Sequence, residues 1–210
     1  MSPHAKPGTV FVDHSTIAPT VAVEIAEYLK SRQQSLVDAP VTGGSMGAQK
    51  GLLTIFCGGS EADVEKVKPF LAAYAKRCER VGPSGSGQMM KLVNQIAVGG
   101  ALLALCEALS FAAKGGLDVA QARDLVGSGA AGSWAFDNYG PKILAKDWRP
   151  GFSIVNQRKD FAYTIEAAEA LRAAVPGTKL VDQLLSELEN QGRGQDTTAA
   201  LFELMLKLEQ

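Results

Sequence analysis

A lysine and two carboxamides sit at helical spacing in one stretch of this chain: Lys91, Asn94 and Gln95, within Gly85-Ser-Gly-Gln-Met-Met-Lys-Leu-Val-Asn-Gln95. Positions three and four apart share a helix face, so an ammonium and two amides point the same way. Met89, Met90, Leu92 and Val93 flank the lysine. Apolar surroundings disfavour its charged form, moving it down from about 10.4 towards the range useful in acid–base work. Lys91, held by Asn94, can then relay a proton to or from an alcohol. By itself, a lysine on a long helix is more commonly a solvated surface group.

Three other clusters carry polar chemistry. Thr42-Gly43-Gly44, after Pro40, offers backbone N–H groups unobstructed by side chains, which suits a carboxylate or phosphate oxygen and equally suits a plain tight turn. Asp13-His14-Ser15-Thr16 follows an apolar run at what reads as a strand's carboxyl end, where open α/β sheets bind ligands. His14 reads better as a surface or capping residue than as a base. Lys159-Asp160 reads as a pair near a helix start, with a surface ion pair as the default. Gly85-Ser-Gly87 mimics a dinucleotide fingerprint, but Met90 stands where the third glycine belongs. The expectation is that these glycines let the chain turn closely over a ligand.

The elements needed to position these groups are legible as periods. Strands are expected over 9–12, 35–41, 52–57 and 77–81, with helices over 20–32 and from Ser60 to about Ala75. After Gln88 only helix periods recur, over 88–114, 119–127, 138–144, 159–174, 178–189 and 197–208, with Asp118 a candidate N-cap. The fold class expected is α/β followed by all-α: a partial Rossmann-type sheet domain at 1–84 and a helical domain at 85–210, opened by one long interdomain helix. The opening strand, glycine turn and helix of a doubly wound fold are missing from this pattern.

Composition removes several classes of function. The chain has 210 residues, a formal net charge of −1 and no block of like charge, which gives no electrostatic case for nucleic acid or an anionic membrane. Two histidines make a histidine metal site improbable, so no metal is expected. Three cysteines without a Cys-x-x-Cys pair suit reduced thiols in a cytoplasmic protein. The apolar region 96–113 is interrupted by Glu107 and two glycines, and reads as a buried helix.

Taken together, the motifs resemble the 3-hydroxyisobutyrate dehydrogenase family, the β-hydroxyacid dehydrogenases related to 6-phosphogluconate dehydrogenase. The resemblance rests on Phe11-Val-Asp-His-Ser-Thr-Ile-Ala-Pro19, Asp38-Ala-Pro-Val-Thr-Gly-Gly44, Gly85-x-Gly87-x-x-x-Lys91-x-x-Asn94 and Lys159-Asp160. It implies a 6-phosphogluconate dehydrogenase-like helical domain and hydride transfer between NAD or NADP and a small 3-hydroxy acid or semialdehyde. Candidates include 3-hydroxyisobutyrate, tartronate semialdehyde and succinic semialdehyde. Lys91 would be general acid/base, Asn94 would orient it and the substrate, and Thr42, Gly43 and Gly44 would hold the substrate carboxylate. Ser15, Thr16 and Lys159 would lie at the cofactor, with Asp160 as support. The resemblance further implies a homodimer or tetramer. Gln95 stands where the family often has a second asparagine. The family's opening glycine-rich segment is not matched, so the chain read alone is expected to be a truncated form with little or no turnover. The alternative expectation is a non-catalytic helical dimerisation module or a carboxylate-binding fragment.

Overall fold

The computed structural model describes residues 5–208. The first unit, ending at Asn94, holds β1 (Val10–Asp13), α1 (Pro19–Lys30), β2 (Ser35–Asp38), β3 (Val41–Thr42), α2 (Gly44–Gln49), β4 (Leu53–Gly58), α3 (Glu61–Leu71) and β5 (Ala75–Gly82). Helix α4 (Ser86–Lys114) begins in this unit and runs into the second, which starts at Gln95. There follow α5 (Val119–Gly127), α6 (Trp134–Asn138), α7 (Gly140–Ala145), α8 (Ile154–Leu171) and α9 (Pro176–Leu188). A π-type turn, a 3-10 turn and α10 (Leu201–Lys207) complete the described chain.

The sheet is mixed. β1 runs parallel to β2, and β4 runs parallel to β5 but antiparallel to β2 and β3. The single strand expected over 35–41 is two strands broken at Ala39-Pro40, because proline has no N–H to give a ladder. The Pro40 carbonyl still accepts from the Phe56 N–H at 3.1 Å. The break turns the chain out towards Thr42-Gly43-Gly44. Val37, Ala39, Leu53, Ile55 and Cys57 pack with Val64, Val67 and Leu71 of α3 into one apolar core.

Local rules fix the helix starts. Pro19 opens α1, where a missing N–H costs nothing. Ser60 Oγ accepts from the Asp63 N–H at 3.1 Å and Asp118 Oδ1 from the Gln121 N–H at 2.7 Å, the cap expected at Asp118. The three cysteines are free thiols, and burial pushes those of Cys57 and Cys106 above the ordinary value.

Helix α4 is long and apolar enough to cross a bilayer. In the second unit it instead contributes Leu102, Leu105, Cys106 and Leu109 to a core shared with Phe136, Ile154, Phe161, Leu185 and Leu201. Gly99 is the close-approach point of α4 on α8: a Cβ there would lie 2.6 Å from Cζ of the fully buried Phe161. Gly99→Val should therefore destabilise the protein by about 1–3 kcal/mol through overpacking. Urea unfolding checks this, and a variant as stable as the parent would mean that the two helices tolerate separation.

Candidate active site

The first turn of α4 is bolted to the sheet by a buried carboxylate that sequence reading did not single out. Asp38, at the carboxyl end of β2, is fully buried, and its two oxygens accept from the Gly85 N–H at 2.8 Å and the Gln88 N–H at 3.0 Å. Opening N–H groups of a helix have no partner within it, and their partial positive charge suits an anion. Burial pushes the Asp38 carboxyl above its ordinary value, while these amides pull the other way.

The glycines of this stretch serve the same docking. A Cβ on Gly87 would lie 2.4 Å from the Asp38 carbonyl oxygen and 2.5 Å from that of Phe56; one on Gly85 would lie 2.9 Å from the Pro19 carbonyl oxygen. The expectation that they close over a ligand is thus corrected: they face the protein. Gly87 allows close packing of helix on strand ends, and Gly85, at φ +87°, permits the turn.

Gln88 is also fully buried, and its carboxamide reaches the loop after β1. Oε1 accepts from the Ile17 N–H at 3.2 Å, and Nε2 donates to the Ser15 carbonyl at 2.8 Å. These bonds bracket Thr16. In the same loop Asp13 accepts from the Ser15 N–H at 2.9 Å. His14 Nδ1–H donates to the Ala39 carbonyl at 2.6 Å, and its Nε2 meets the Tyr74 hydroxyl at 2.8 Å. A carbonyl only accepts, so Nδ1 carries the proton, and His14 acts as a clip between segments.

One turn on from Gln88, Lys91 is 7% exposed and its Nζ donates to the Val41 carbonyl at 3.1 Å. Its burial does not come from all the neighbours invoked above, since Met90 and Val93 are exposed while Leu92 is buried. The ammonium therefore lies against β3, one residue before Thr42-Gly43-Gly44. Thr42 pairs with Thr54 across the β3–β4 ladder. Gly43 and Gly44 have φ of +126° and +64°, conformations that strain any side chain, and a Cβ on Gly44 would meet nothing within 4 Å. Asn94, half-buried, follows Lys91 at i+3.

In the second unit Gln95 is buried and donates through Nε2 to Asp160 Oδ2 at 2.7 Å. Asp160 Oδ1 lies 3.2 Å from Lys159 Nζ. This pair is no ordinary surface salt bridge, because the Asp160 side chain is 2% exposed and that of Lys159 47%. Nor does it open its helix: α8 begins at Ile154, so the carboxylate supports Gln95 instead of capping the first turn. Sequence reading also passed over Gly127-Ser-Gly-Ala-Ala-Gly132, a complete Gly-x-Gly-x-x-Gly string. It follows a helix, not a strand, and a Cβ on Gly132 would strike the Gly127 carbonyl oxygen at 2.3 Å, so its glycines make a turn between α5 and α6. Among the described residues, no group of three or more His, Cys, Asp or Glu is placed to hold a metal ion.

Comparison with known proteins extends across both units. Residues 1–82 match the NAD binding domain of 6-phosphogluconate dehydrogenase, and residues 85–205 match the model described as NAD-binding of NADP-dependent 3-hydroxyisobutyrate dehydrogenase. The chain is 34% identical to 2-hydroxy-3-oxopropionate reductase of Escherichia coli over 94% of its own length and 68% of the relative's. It is 35% identical to an uncharacterized oxidoreductase of Bacillus subtilis, over 97% and 71%. Among solved structures, 3-hydroxyisobutyrate dehydrogenase from Salmonella typhimurium superposes with a TM-score of 0.88 at 30% identity, covering 95% of this chain and 70% of that one.

Proposed function

This chain belongs to the NAD(P)-dependent 3-hydroxyisobutyrate dehydrogenase family, and from that premise we propose that it supplies the catalytic and substrate-binding groups for hydride transfer on a small 3-hydroxy acid or semialdehyde, with Lys91 as general acid/base and turnover requiring a glycine-rich nucleotide-binding segment as well. The observation that carries this reading is the buried Lys91, its Nζ on the Val41 carbonyl beside the Thr42-Gly43-Gly44 turn. A bound nicotinamide supplies hydride to the carbonyl carbon or accepts it from the carbinol carbon. Lys91 takes the hydroxyl proton during oxidation and returns it during reduction. The Val41 carbonyl aims Nζ, Asn94 orients the lysine and the substrate, and Thr42, Gly43 and Gly44 hold the carboxylate so that the reacting carbon keeps its alignment.

The residues after β1 fit the nicotinamide end of the cofactor. They lie at the carboxyl ends of parallel strands, with Ser15 exposed and the main chain around Thr16 fixed by Gln88. Ser15 and Thr16 are the cofactor contacts proposed in the first unit. Asp160 and Gln95 support Lys159. Among the described residues, no strand leads through Gly-x-Gly-x-x-Gly into a helix, and no pyrophosphate role is assigned to them.

The carboxylate turn gives a prediction of its own. Gly44→Val places a side chain in the open space at the turn, where a Cβ meets nothing within 4 Å, and strains the backbone at φ +64°. It should lower kcat/KM for the hydroxy acid by about 10- to 100-fold, the value of one or two charge-assisted hydrogen bonds. Most of that loss should fall in KM for the acid, with KM for the cofactor little changed. Steady-state kinetics with each substrate varied in turn checks this, and an unchanged KM for the acid would remove the turn from the site. The proposed homodimer or tetramer draws support from exposed Phe111, Leu117 and Leu125 on the second unit. Sedimentation that finds only monomer would overturn it.

A further inference from the structure

We infer that Gln88 is a positioning residue for this reaction: its buried side-chain amide sets the place of Thr16, the proposed nicotinamide contact, relative to the proton-transferring Lys91. The inference rests on the function proposed above and extends it to a residue that touches neither substrate nor cofactor.

Gln88 is fully buried, and its carboxamide oxygen and nitrogen are both used, one on the Ile17 N–H and one on the Ser15 carbonyl. A carboxamide is the neutral group that can accept and donate at once, so it grips a peptide segment as a neighbouring strand would. The residue between the two gripped positions is Thr16. Its backbone is thereby fixed to α4 across a sequence separation of more than 70 residues.

The same helix turn carries the other end of the ruler. Gln88 and Lys91 stand three residues apart in α4, on one face. Lys91 Nζ is fixed on the Val41 carbonyl, and the Gln88 N–H itself is held by Asp38. The helix turn is thus immobilised by the sheet, and its glutamine holds the loop. Relaxing that hold leaves Lys91 seated and loosens the backbone at Ser15 and Ile17 on either side of Thr16, so hydride transfer should lose alignment while proton transfer keeps its group. A misplacement of about 1 Å at such a site is worth roughly 100-fold in rate.

The test uses the full-length protein with Gln88→Met, which keeps the length and removes both hydrogen bonds, and Gln88→Glu, which keeps the acceptor for Ile17 and loses the donor to Ser15. Two measurements are made: amide hydrogen exchange at Ile17, and single-turnover hydride transfer with a pH profile. With Gln88→Met, exchange at Ile17 should rise at least about 10-fold while the α4 amides stay protected. Hydride transfer should fall roughly 10- to 100-fold, with the basic limb of the pH profile unmoved. Gln88→Glu should fall between Gln88→Met and the parent, and it carries the test if Gln88→Met does not fold. Unchanged exchange at Ile17, hydride transfer within about twofold of the parent, or a rate loss that only follows a lowered Tm would each overturn the inference. Lys91→Ala in the same assay separates the two levels: full turnover there sinks the proposed function, whereas loss there with an unaffected Gln88→Met sinks only the role of Gln88.

Discussion

Lys91→Ala should lower kcat by about 100- to 10,000-fold, the span that a positioned general acid or base contributes, with KM for the cofactor close to that of the parent. Nζ is aimed by the Val41 carbonyl on a residue that is buried, so truncation removes the one group held there for proton transfer in this account. Lys91→Arg should fare little better, because a guanidinium cannot give up its proton near neutral pH. A steady-state comparison of the three proteins checks this, and a Lys91→Arg enzyme with normal kcat would mean that charge alone is what the site needs.

Asp38→Asn should unsettle the whole first turn of α4. The amide keeps one acceptor but turns an NH2 towards a backbone donor, leaving Gly85 N–H or Gln88 N–H buried without a partner. Each such group costs about 1–3 kcal/mol. The pH dependence has a definite sign. Burial raises the folded value of Asp38 above the unfolded one, near 3.8. Between those values the folded state binds more protons than the unfolded state. The stability contributed by this ionisation is therefore fully present below about 3.8 and is lost as pH rises through the folded value. Urea unfolding of parent and variant from pH 3 to pH 8 should show the deficit of the variant largest at the acid end and smaller towards neutrality. A deficit that grows as pH rises would reverse the assigned direction.

Much of this was legible in residue order where the cause is local. The period of 119–127 and the cap at Asp118 depend on near neighbours, and both are present as read. The fold class, a sheet unit followed by helices, follows from the change in period after Gln88. The break at Pro40 was in principle legible too, since proline cannot continue a ladder. Helix α8 begins at Ile154, five residues before the expected start, where buried Gln157 interrupts the apolar pattern. It ends at Arg172 in a left-handed conformation without the glycine that usually marks such a stop. Asn138 to Leu144 read as one helix and is instead the end of α6 and most of α7, with Pro141 opening the second.

The site divides in the same way. Lys91, the Thr42-Gly43-Gly44 turn and the loop at Thr16 are visible as motifs. Asp38 and Gln88 are not, because their meaning lies in partners 47 to 73 residues away. Gln88 sits in a motif position that spacing treats as free, and Asp38 looks like a turn residue ahead of a proline. The glycines at 85 and 87 misled for a related reason: glycine marks close approach, and sequence alone does not say whether a ligand or a strand end approaches.

The central claim is that Lys91 moves the proton of the reacting hydroxyl. Single-turnover oxidation of a 3-hydroxy acid by the Lys91→Ala protein, with and without added primary amines, tests it most directly. The account predicts NAD(P)H formation slowed by about 100-fold or more and partly restored by small amines, with the restored rate rising with amine basicity. NAD(P)H formation at the parent rate without any amine would contradict it.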